Sequence, residues 1–109
     1  MDNTCDFPEL SAESAQLAAE TLKALAHPLR LRLLIRLLER EDYVSSLARR
    51  LDVAQPVVSQ QLGVLKSHGL VRSETREGCA YYSIREPHIG PVLNCICRCM
   101  ASRRKGPAG

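Results

Sequence analysis

VSSLARRLDVAQPVVSQQLGVLKSHGLV, residues Val44 to Val71, holds two short helical patterns separated by the break Asp52-Val53-Ala54. In the first, Val44, Leu47, Ala48 and Leu51 fall at i, i+3, i+4 and i+7, one face of a helix. The second runs from about Gln55 to His68, turns Val58, Leu62 and Leu65 inward, and stops at Gly69. Its outward arc holds Gln55, Val57, Ser59, Gln60 and Gly63. Amides and hydroxyls there suit base edges in a major groove, and Val57 suits a thymine methyl. Two helices meeting at so short a turn read as a helix-turn-helix over about residues 43–68. Double-stranded DNA is the first partner to consider.

The flanks complete the architecture. Residues 1–10 lack periodicity and read as a flexible arm. Ser11 is placed to cap a helix carrying Leu17, Ala18, Leu22, Leu25 and Ala26 on one stripe. His27-Pro28 ends that pattern, and Pro28 starts a second helix with Leu31, Leu34, Ile35 and Leu38 as its expected buried face. Asp42 is the expected N-cap of the third helix. After Gly69 the period changes: residues 70–75 and 80–85 read as strands around a glycine turn, a hairpin wing over about 70–85. A last helix is expected over about 87–103, starting after Pro87 or only at Pro91, and residues 104–109 form a flexible tail. The fold class expected is therefore mainly α with a small β-hairpin, a winged helix-turn-helix over residues 11–103.

Composition agrees. Apolar residues make up 45% of 109, yet there is no Trp, so the core must be aliphatic. Net charge is only +3, but residues 43–85 hold Arg49, Arg50, Lys66, Arg72, Arg76 and Arg85 against three acids. Arg72, Arg76 and Arg85 on the hairpin, with Arg49 and Arg50 on the third helix, are candidate phosphate or minor-groove contacts. There is no CxxC at a helix start, no nucleophile triad and no phosphate-cradling loop, so an enzyme is not expected. No signal peptide and no apolar run of membrane-spanning length is visible, which points to the cytoplasm.

Leu25-Ala26-His27-Pro28-Leu29-Arg30-Leu31-Arg32-Leu33-Leu34 resembles the L-x-H-P-x-R-L-x-I-L opening of the ArsR/SmtB family of bacterial repressors. Gln55-Pro56-Val57-Val58-Ser59-Gln60-Gln61-Leu62-Gly63-Val64-Leu65 resembles its recognition helix. The resemblance implies a homodimer joined through the first and last helices. It also implies an inverted-repeat operator, and release when an inducer binds. Ala54 departs from the family's usual Ser or Thr at that position. The Cys-Val-Cys of arsenic-sensing members is matched by Tyr43-Val44-Ser45, so that thiol site is gone.

The sulfur lies elsewhere, in Cys95-Ile96-Cys97-Arg98-Cys99. Reduced cysteines in a cytosolic chain more often serve metal or redox chemistry than bridges. Three soft thiolates suit As(III) or Sb(III), with Cd(II), Hg(II), Cu(I) and Zn(II) as alternatives. Zinc wants a fourth ligand, for which His88 or Cys5 is available. In a regular helix Cys95 and Cys99 share a face while Cys97 points away. One ion can gather all three only where the helix ends or unwinds. A thiol redox or persulfide switch on the same cysteines is the competing reading. Cys79, at the expected wing tip, reads as a bystander.

Overall fold

The computed structural model describes residues 7–104. Ser11 opens α1 (Ala12–Leu25), its hydroxyl accepting from the Ser14 N–H at 3.1 Å. His27 caps α2 (Pro28–Glu39) in the same way, Nδ1 accepting from the Leu29 N–H at 3.2 Å. Strand β1 (Asp42–Tyr43) leads directly into α3 (Val44–Leu51). The chain turns through Asp52, at φ +57°, into α4 (Gln55–Ser67). Gly69, at φ +73°, ends that helix and starts the hairpin of β2 (Val71–Arg76) and β3 (Cys79–Ile84). Helix α5 (Ile89–Arg104) completes the chain.

The sheet is antiparallel with strand order β1-β3-β2. Its register pairs Asp42 with Tyr82 and Val71 with Ile84. The core is aliphatic, as composition requires: Leu33, Leu34, Leu37, Leu47, Leu51, Val58, Leu62, Leu65, Leu70, Val71 and Leu93 are buried. The inward residues read for α4, Val58, Leu62 and Leu65, are all fully buried.

Two expectations need correction. The buried face of α2 is Leu33, Leu34 and Leu37; Leu31 and Ile35 are half-buried and Leu38 is 40% exposed. Its apolar arc is broad, opposite Arg32, Arg36 and Glu39, so periodicity alone does not choose which of its leucines face inward. Asp42 is not the cap of α3. Tyr43 occupies that position without a side-chain bond, because Asp42 is drawn into β1 and buried. Of the two starts expected for the last helix, the structure takes the one after Pro87, at Ile89. Pro91 is the third residue of α5, where backbone N–H groups have no partner to lose.

Candidate nucleic-acid interface and the thiols of the last helix

Helix α4 presents Gln55, Val57, Ser59, Gln60 and Gly63 to solvent, while its opposite side is held by the core. Nothing lies within 4 Å of where a Cβ on Gly63 would sit, so this face is open. Ala54 precedes the helix without any side-chain cap. Lys66, near the end of α4, donates to Ser73 Oγ at 2.8 Å and ties the helix to the wing. Residue chemistry alone did not single out that bond.

The wing turn is two residues long. Glu77 and Gly78 both have positive φ, +51° and +80°, which matches the twist of a tight hairpin. Arg72, Arg85 and Arg49 are exposed and make no ion pair among the described residues; Arg72 only approaches Ser83 Oγ at 3.4 Å. These three are free for phosphate.

The other two arginines are engaged inside the chain. Arg76 pairs with Glu41 at 2.7 Å and Glu74 at 3.1 Å, and its guanidinium lies 4.9 Å from the Tyr81 ring centre. Hydrogen bonds from Arg76 hold the Glu41 carboxyl below its usual range, and the two glutamates raise Arg76. Arg50 pairs with Asp42 at 2.6 Å and Glu39 at 3.1 Å. Burial pushes the Asp42 carboxyl up. Bonds from the Tyr43 N–H, Arg50 and the Ser46 hydroxyl outweigh that and leave it lowered. These pairs are invisible to composition, since Arg76 and Glu41 stand 35 residues apart.

Helix α5 carries Cys95, Cys97 and Cys99 as free, exposed thiols. It is unbroken through Arg104, so the helix end or unwinding that would let one ion gather all three is absent. Cys97 lines a groove with Ile35, Leu38, Glu39, Gly90, Leu93 and Asn94. Cys95 and Cys99 sit two residues to either side, about 200° away around the helix. Among the described residues no group of three or more His, Cys, Asp or Glu side chains is placed to hold a metal. His88 is engaged with Glu86, Nδ1 to Oε2 at 2.8 Å. Bonds from the His88 backbone N–H and ring hold Glu86 below its usual range. Cys79 is exposed at the wing, and Cys5 lies outside the described residues.

An open polar helix, a short turn beneath it and a basic hairpin beside it define a winged helix-turn-helix DNA-binding protein. Residues 27–73 match the family model described as bacterial regulatory protein, arsR family. The chain is 32% identical over 108 residues to the biofilm growth-associated repressor of Xylella fastidiosa strain Temecula1, covering 95% of this chain and 93% of that one. Among solved structures it is similar to the crystal structure of Rv0081 from Mycobacterium tuberculosis, with TM-score 0.75 and 35% identity over 88% of this chain and 100% of that one. The antimony-specific transcriptional repressor AntR shares the fold, with TM-score 0.81 at 24% identity, over 93% and 92% of the two chains. The chain belongs to the ArsR family of bacterial regulatory proteins. It is a transcriptional repressor and not an enzyme. No described helix is long and apolar enough to cross a membrane.

Proposed function

We propose that this repressor works in the cytoplasm as a homodimer on an inverted-repeat operator. It leaves that operator when a thiophilic ion, As(III) or Sb(III) foremost, binds Cys95, Cys97 and Cys99. Gln55, Val57, Ser59 and Gln60 read bases, and Arg49, Arg72 and Arg85 hold phosphate. Arg50 and Arg76 contribute there only by giving up their carboxylate partners.

One observation carries the sensing reading. The three exposed thiols lie on the same helix as an unpartnered apolar stripe, Val92, Ile96 and Met100, each 40–43% exposed. That stripe is the natural seat of a second protomer. Gathering three thiols on one ion requires unwinding the end of α5, because the straight helix splays them. Ion binding then disturbs the surface that holds the dimer and, with it, the spacing of the two α4 helices.

The test uses a duplex selected by the wild-type chain from a random-sequence library. Fluorescence anisotropy under arsenite should show the wild type dissociating and C95S/C97S/C99S staying bound. A triple variant that dissociates like wild type refutes the site. Parallel titrations with Cd(II), Hg(II) and Zn(II) rank the ions.

The same free thiols also support a redox or persulfide switch. In that case mild oxidation, without any ion, abolishes DNA binding and yields a defined cysteine link by mass spectrometry.

A further inference from the structure

Arg30 sits half-buried on α2 where three helices meet. Its Nε donates to Oε1 of Gln61 at 2.7 Å, and its Nη1 donates to the Ala24 carbonyl at 3.1 Å. Gln61 belongs to α4, next to Gln60 on the reading face, and Ala24 is the penultimate residue of α1. No carboxylate among the described residues pairs with Arg30. The guanidinium is thus spent on an amide and a main-chain carbonyl, one from each flanking helix.

The geometry has a mechanical meaning. A guanidinium is planar, with its donors in a fixed fork, so two bonds from one plane share one orientation. Displacing either acceptor tilts the plane and disturbs the other bond. The rest of the α4 underside is Val58, Leu62 and Leu65, whose apolar contacts carry no direction. They fix the helix against the core, and Lys66 ties its last turn to the wing through Ser73. The Arg30–Gln61 bond adds a directed contact at mid-helix, beside Gln60 on the reading face.

We infer that Arg30 is a positioning residue for DNA reading, registering the rotation of α4 against the end of α1. The inference rests on α4 being the reading helix. It also links the end of α1 to the reading helix through one side chain.

The experiment compares full-length wild type, Q61A, Q61E, R30Q and R30Q/Q61A. Each is measured on the library-selected duplex and on unrelated DNA, with amide exchange followed over residues 60–63. Q61A should lower the ratio of selected to unrelated affinity by about tenfold, equivalent to 1.4 kcal/mol. Binding to unrelated DNA, which depends on phosphate contacts, should stay level. The double variant should lose no more than R30Q alone, since the bond that Q61A removes is already broken by R30Q. Q61E keeps an acceptor for Arg30 and should keep the ratio. Amides 60–63 should exchange faster in Q61A than in wild type.

Additive losses, or equal losses on both DNAs, overturn the proposal, as does unchanged exchange in Q61A. If R30Q does not fold, the two Gln61 variants decide alone. A wild type that selects no duplex refutes the reading-helix assignment instead, and the exchange result then still tests the Arg30 bond.

Discussion

Ala54 is where a single residue changes what the DNA-reading helix can do. Its backbone is extended, at φ −59° and ψ +137°, which suits a capping side chain, yet its methyl offers no acceptor. Serine there should share the Val57 N–H, which now donates to the Ala54 carbonyl at 3.0 Å, and stabilise the fold by roughly 0.5 kcal/mol, the low end for a cap. The hydroxyl also stands at the positive end of α4, where a DNA phosphate is favoured. A54S should therefore raise both the thermal midpoint and the affinity for the selected duplex, read by calorimetry and anisotropy. A rise in stability with no gain in affinity would place the phosphate elsewhere. This deficit was legible in the sequence, because a cap is a local property. The engagement of Arg50 and Arg76 was not, because their partners Asp42 and Glu41 lie in and just before β1, a two-residue strand too short for any periodicity.

Between elements, Asp42 joins β1, α2 and α3 at one buried point. Its carboxylate accepts from the Tyr43 N–H at 2.9 Å, the Ser46 hydroxyl at 3.0 Å and Arg50 at 2.6 Å, and Arg50 passes on to Glu39 of α2. The sequence marked Asp42 as important to α3, but as a cap. The structure makes it a buried anion, 5% exposed. Its folded pKa is lowered. Its contribution to stability is therefore full above the unfolded value, near 4, and is lost as pH falls through the lower folded value. D42N should cost roughly 2 kcal/mol at neutral pH, since Arg50 loses its closest anion but keeps Glu39 and partial solvation. It should also flatten the acid limb of the stability profile. Urea melts from pH 7 down to pH 3 measure both. An acid limb unchanged in D42N would move that pH dependence to Glu41 and Glu86. Helix α5 teaches a related lesson. Pro91 left the start of the last helix open, yet a proline in the first turn removes no bond, so the helix runs unbroken to Arg104 and the thiols splay.

The whole molecule is extended for its length. Its radius of gyration is 16.2 Å, against about 13 Å for a compact chain of this size. The excess comes with α1, where only Ala24 and Leu25 are buried, and with α5, where only Ile89 and Leu93 are. Leu17 and Leu22 on one and Val92, Ile96 and Met100 on the other leave apolar surface open. A groove of about 380 Å³ runs between the two helices, bordered by Leu22, Leu25, Ile89 and Val92. Of the two helices, the apolar stripe of α1 was legible from its period. Which of their residues a single chain buries was not, because burial depends on what surface packs against each stripe. If a second copy supplies that surface, I96E should turn a sedimenting dimer into a monomer. The thermal transition should stay cooperative, since Ile96 is 40% exposed in the protomer and its loss opens no cavity. Operator affinity should fall roughly tenfold or more, because two half-sites are no longer held by one particle. Sedimentation velocity and anisotropy on the same preparation measure both effects. A variant that remains dimeric and binds like wild type would remove α5 from the interface, and with it the route from Cys95, Cys97 and Cys99 to the DNA.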